Sequence, residues 1–115
     1  LMYSEGVDKG QLSLQRFVEV CATAPARLFG LYPRKGTIAV GSDADLVIFD
    51  PDKEVILSYK DLHQNVDYCP YEGWRVRGYP TVVLCRGQFV VREGQFVGRV
   101  GAGEFLVRKP FGEMI

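Results

Sequence analysis

Four aspartates stand close together in "GSDADLVIFDPD", at positions 43, 45, 50 and 52. Carboxylates at that density could ligate a hard cation, because calcium and magnesium prefer oxygen donors. An EF-hand loop, however, sets its ligands, glycine and closing glutamate at fixed positions, and here the apolar run Leu46–Phe49 separates the two acidic pairs. Asp43 suits a turn and Asp50, before Pro51, suits a strand exit, so the sequence assigns these acids to architecture. His63 is the one histidine, with Asp61 and Asp67 as flanking acids. A general-base role would need a nucleophile beside it, and none is identifiable, so it reads as a hydrogen-bonding loop residue. Cys69, before Pro70, would need a cation or a helix end to lower its pKa before it could act as a nucleophile. The glycines of "GRVGAGEF" do not follow a strand and open a helix, so they are turn glycines rather than a phosphate cradle.

The elements that must hold these residues divide near Gly36. Before it, Ser13 is a plausible N-cap, and Leu14, Phe17, Val18 and Cys21 follow at helical spacing. "TAPARLFG" predicts a second short helix, with Thr23 as cap, Pro25 in its first turn and Gly30 as its stop. A helix pair this short is marginal in water, so both apolar faces need a surface to pack on. After Pro33 the period changes from 3.6 to 2. Thr37–Val40 and Leu46–Phe49 read as strands around a "GSDA" turn, and Glu54–Ser58 as a third. From Trp74, "WRVRG", "TVVLC", "QFVV" and "QFVG" predict an antiparallel meander with turns at "RG" and "REG". Leu46–Phe49 and Val82–Leu84 are expected on buried strands. Between the strand groups, residues 58–73 form a long aperiodic loop bearing Tyr59, Tyr68 and Tyr71, with Trp74 beside it. Long loops within a domain are commonly functional or docked. The loop's aromatics, together with Phe105 and Phe111 in the arm 104–115, are therefore expected to be docking contacts: Tyr68, Tyr71, Trp74, Phe105 and Phe111.

At 115 residues, 47% of them apolar, the chain is long enough for one core. With neither an apolar run of transmembrane length nor a signal-peptide order at its start, it reads as soluble and cytoplasmic, with no membrane partner. It begins at Leu1 and reaches a helical pattern almost at once, which suggests a piece of something longer. Cys21, Cys69 and Cys85 are odd in number and widely spaced, so they are expected to be reduced, buried thiols. The net charge is zero, but residues 1–73 carry 7 basic and 11 acidic side chains and residues 74–115 carry 7 and 3. The arginines of the second half are dispersed, which favours contacts to an acidic neighbour over a nucleic-acid surface.

The stretch "KGTIAVGSDADLVIFDP" resembles the passage by which amidohydrolase-superfamily enzymes leave their barrel and enter a small β-sandwich, and "LSLQRFVEVCATAPARLFGLYP" is similar to the last barrel-associated helices. "HQNVDYCPYEGWRVRGYPTVVLCRGQFVVREGQFVGRVGAGEFLVRKPF" resembles the C-terminal region of the dihydropyrimidinase and D-hydantoinase branch. The resemblance implies an α+β fragment: barrel-end helices in 1–34, a mainly antiparallel sandwich portion in 35–103 and an interface arm in 104–115. It implies a parent that hydrolyses the ring amide of dihydropyrimidines or hydantoins and is commonly tetrameric. It also implies a pair of zinc ions held upstream by histidines, an aspartate and a carbamylated lysine. None of those ligand motifs maps onto this chain, so no catalytic, metal or cofactor residue is carried over. Two other readings are a segment of a non-catalytic dihydropyrimidinase-like assembly protein and an independent β-rich binding module.

Overall fold

A computed structural model describes residues 1–110. Helical segments come first: a π-helical stretch Met2–Asp8, then α1 (Leu14–Val18), a π-helical junction Glu19–Thr23 and α2 (Ala24–Leu28). The four strands that follow are β1 (Leu46–Ile56), β2 (Arg75–Cys85), β3 (Gln88–Arg92) and β4 (Gln95–Phe96). They form one antiparallel sheet in chain order. This is the helix-then-meander order that the change of period predicts.

The Ser13 cap is present, its hydroxyl accepting from the Arg16 N–H at 3.1 Å. Gly30 ends the second helix with φ +70°, a conformation that suits glycine. Thr23, expected as a cap, is not one. Its backbone is helical and its hydroxyl donates instead to the Gly36 carbonyl at 2.8 Å, so the two helices join through the π junction. Met2–Asp8 was not anticipated as helical, because no amphipathic period marks it.

The strand boundaries shift in two places. Thr37–Val40 is irregular: the Thr23 bond pins Gly36 against Ala22 and Ala26, and the Asp43 N–H to Arg34 carbonyl bond closes the following loop. Ile38 and Val40 remain exposed. Leu46–Phe49 and the greater part of Glu54–Ser58 fuse into β1, with register shifts at Ile48/Phe49 and Asp50/Glu54. Asp50 therefore lies within the strand at a bulge, where its Oδ1 accepts from the Asp52 N–H at 2.9 Å. "WRVRG" and "TVVLC" likewise fuse into β2, through Gly78 and Pro80.

The expectation of buried strands is not met. Val47 and Ile48 are exposed, and Leu46, Phe49 and Val82–Leu84 are half-buried. Among the described residues only Ala26, Leu57 and Val76 are buried apolar side chains. Nor are the cysteines buried thiols: Cys21 is exposed, and Cys69 and Cys85 are half-buried. One layer of sheet with a short helical flank has too little surface of its own to cover these residues. Each large aliphatic side chain left in water forgoes about 1.5–3 kcal/mol of burial.

What joins helices to sheet is a small aromatic cluster. The Tyr3 ring lies 4.7 Å from the Phe49 ring and 5.9 Å, edge-on, from Phe17, and occupies the space beside Gly78. A Cβ on Gly78 would sit 2.3 Å from Tyr3 Cδ1 and 2.9 Å from Phe49 Cε1, in a backbone with φ +86°. Next to it, the hydroxyl of buried Ser4 accepts from the Arg77 N–H at 3.2 Å. Gly78→Ala is thus expected to destabilise the chain by roughly 1–3 kcal/mol from backbone strain alone. Urea denaturation should show the midpoint falling while the far-UV spectrum of the remaining folded state is kept.

Candidate functional site

The acidic stretch of Asp43 and Asp45 forms a charge-paired clamp. Asp43 Oδ2 accepts from Arg34 Nε and lies against Lys35 Nζ, each at 2.9 Å. Asp45 pairs with Lys35 and accepts the Arg86 backbone N–H at 2.8 Å. The Gly87 N–H donates to the Ala44 carbonyl at 2.9 Å, so this loop is fastened to the β2–β3 turn. Hydrogen bonds from Lys35 and Arg34 hold the Asp43 carboxyl below its ordinary pKa. For Asp45, partial burial pushes the pKa up, but the bonds from Lys35 and the Arg86 amide outweigh it and the net direction is down. Partial burial of Lys35 opposes its charge, yet its bonds to Asp45 and Asp43 raise its pKa overall. Asp52 lies apart from this clamp, paired with Arg77, which also reaches Asp8 at 3.4 Å. The aspartates therefore meet cations and amides belonging to the chain itself.

The loop 58–73 closes at its neck. The Leu57 N–H donates to the Trp74 carbonyl and the Gly73 N–H to the Leu57 carbonyl, both at 2.8 Å, while Glu72 accepts the Tyr59 N–H at 2.9 Å. His63 is exposed and lines an open cleft of about 420 Å³ with Ser58, Lys60, Asp61 and Tyr79. The cysteines supply no nucleophile-and-base pair among the described contacts; Cys21 Sγ meets Met2 Sδ at 3.9 Å. Tyr71 and Trp74 pack edge-on at 5.4 Å, and with Tyr68 they present exposed aromatic surface. Phe105 is 93% exposed on the arm, while Phe111 lies outside the described residues. The arm returns to the helices, where the Lys109 N–H donates to the Gly30 carbonyl at 2.9 Å. The structure thus gathers Tyr68, Tyr71 and Trp74 at one loop and sets Phe105 on a separate strap. Sequence reasoning missed Lys35, in "PRKG", which carries no site signal, and Arg86, in "CRG", which reads as a hairpin turn.

Among the described residues, no three of His, Cys, Asp and Glu converge in a way that could hold a metal ion. Nor is any helix long and apolar enough to cross a membrane. Residues 1–90 match the sequence model of the Amidohydrolase family. The chain belongs to the amidohydrolase family. Within it, all 115 residues align at 53% identity with 24% of a D-hydantoinase from Geobacillus stearothermophilus. A D-hydantoinase from Ralstonia pickettii is 48% identical over 96% of this chain and 24% of its own. The fold superimposes on a crystal structure of a D-hydantoinase with TM-score 0.92 and 55% identity, and on a dihydropyrimidinase from Brevibacillus agri with TM-score 0.92 and 54% identity; each match covers 96% of this chain and 24% of the other. This amidohydrolase chain spans about a quarter of the length of the relatives it matches. The family's hydantoinases are generally metal-dependent, but the donors present here do not fit a metal pair: the single histidine sits on an exposed loop, and Asp43 and Asp45 are already neutralised.

The clamp makes a pH prediction with a definite sign. Asp43 and Asp45, depressed in the folded state, contribute stability that is present above the ordinary carboxylate range and lost as pH falls through their lowered values. Lys35, raised, contributes stability that is present below the ordinary lysine value and lost as pH climbs through its higher one. The difference in urea midpoint between the native chain and Lys35→Met should be largest and flat from about pH 5 to about pH 10, shrinking on both sides. A difference that peaks outside that plateau would rule out the clamp as a source of stability.

Proposed function

We propose that this chain is the C-terminal structural and assembly segment of a metal-dependent cyclic amidase, a cytoplasmic enzyme that opens the ring amide of dihydropyrimidines or hydantoins, and that the segment does no chemistry itself. One observation carries the reading: the whole chain aligns at 53% identity with about a quarter of a D-hydantoinase, and among its described residues no cluster of side chains could hold a metal ion. In this reading residues 1–34 are the terminal helices of the parent's barrel and residues 35–103 are part of its small β-sandwich. Residues 104–115 are an arm. The parent's pair of zinc ions, its histidine ligands and its substrate pocket belong to the other three-quarters.

Physical reasons support this division. The sheet leaves Val47, Ile48 and Ile56 in water, and the helices leave Leu14, Val18, Leu28 and Phe29 there. Large apolar side chains left in water on both sheet and helices are what a covering partner would bury. Tyr68, Tyr71, Trp74 and Phe105, with Phe111 beyond the described residues, are the docking contacts toward the remainder of the parent and its sister subunits, in a homo-oligomer that the family resemblance makes a tetramer. Aromatic side chains of this size are the usual anchors of such contacts.

The test is direct. The 115-residue chain, equilibrated with zinc and freed of excess, should hold no stoichiometric metal pair by elemental analysis. Beside a full-length D-hydantoinase it should open neither hydantoin nor dihydrouracil. Two bound metals together with turnover would overturn the proposal.

A further inference from the structure

At the β2–β3 turn, one residue, Arg86, ties two other parts of the chain together. Its backbone N–H donates to Asp45 at 2.8 Å, and the adjacent Gly87 N–H to Ala44 at 2.9 Å, which secures the loop that leads into β1. Its guanidinium donates through Nη2 to the Ala102 carbonyl and pairs with Glu104 at 3.5 Å, which secures the start of the arm. Seven residues past Ala102, the Lys109 N–H bonds to Gly30 at the end of α2. Gly30 must be glycine there, since a Cβ would fall 1.9 Å from the Lys109 carbonyl oxygen. Between these two anchorages, Phe105 and Val107 stand 93% and 85% exposed, while Leu106 turns inward to half-burial.

Arg86 occupies φ +49°, a left-handed conformation uncommon for a side-chain-bearing residue. Glycine would take that turn with less strain. Glu93, before Gly94 in the β3–β4 turn, takes φ +51° likewise, so the conformation belongs to the turn and what distinguishes Arg86 is its contacts: one guanidinium nitrogen, Nη2, holds both a carbonyl and a carboxylate. We infer that Arg86 is the latch of the arm, a positioning residue that fixes the course of residues 102–109 while the helices and sheet stand without it. The outward pair Phe105 and Val107 is thereby presented in a set direction rather than on a loose tail. This holds whether or not the arm contacts another subunit, because it concerns the arm's anchorage alone.

Trypsin reads the latch through Arg108, which lies on the strap, against Arg92 and Arg99, which do not. In Arg86→Gly the guanidinium is lost and the turn relaxes. Cleavage after Arg108 should then rise roughly tenfold, as expected when charge-assisted hydrogen bonds that close a segment are removed. Cleavage after Arg92 and the thermal midpoint by circular dichroism should hold or improve. Arg86→Lys, which keeps the charge but not the guanidinium, should fall between the two and so report on the side chain if the glycine variant misfolds. An unchanged rate at Arg108 in either folded variant would overturn the latch. So would a rise of equal size at Arg92, which would mean general loosening.

Discussion

The fold depends on a contact among three rings. Tyr3 fills the space that a side chain on Gly78 would take and touches Phe49 on the neighbouring strand and Phe17 on α1. Because the Ser4 hydroxyl caps the Arg77 amide at the same point, the first helical turn is fastened to the middle of β2 by an aromatic wedge and a buried hydrogen bond. Everything else is arranged around this joint. The sheet carries its own ladder, but helices this short have no independent stability in water. Without the wedge their position over the sheet would be undetermined, and so would that of Gly30, to which Lys109 of the arm bonds.

Much of this architecture is legible from residues. The 3.6-period of Leu14, Phe17 and Val18 and the alternation after Trp74 name helix and meander correctly, since periodicity reflects which face meets a neighbour. What the sequence hides is long-range. Thr37–Val40 has strand composition, but strand formation needs a partner edge, and Gly36 is instead held against α2 by Thr23. The burial of Leu46–Phe49 fails for the same reason, since composition shows that a strand seeks cover without showing whether this chain supplies it. Lys35 and Arg86 are invisible as site residues because nothing in "PRKG" or "CRG" distinguishes a clamp from a turn.

The aspartates illustrate how function and structure divide. Four carboxylates in ten residues could mark a cation site, yet each of Asp43, Asp45 and Asp52 meets a lysine, arginine or amide of its own chain, and Asp50 closes a bulge. The opposite signs of the two halves of the sequence have a similar outcome, as Arg75 and Arg77 of the basic half pair with Glu54, Asp8 and Asp52 of the acidic half. Charge here is used to register strands and close loops.

In the proposed parent, the apolar faces of this sheet and helix pair are contact surfaces that the rest of the enzyme covers. Light scattering on the purified chain during size-exclusion chromatography, with hydrophobic-dye fluorescence measured on the same fractions, tests it most directly. Self-association, dye binding or both are expected, because large exposed aliphatic and aromatic side chains drive such contacts. A stable monomer that binds no dye would contradict it, and would mean that the chain covers its own core.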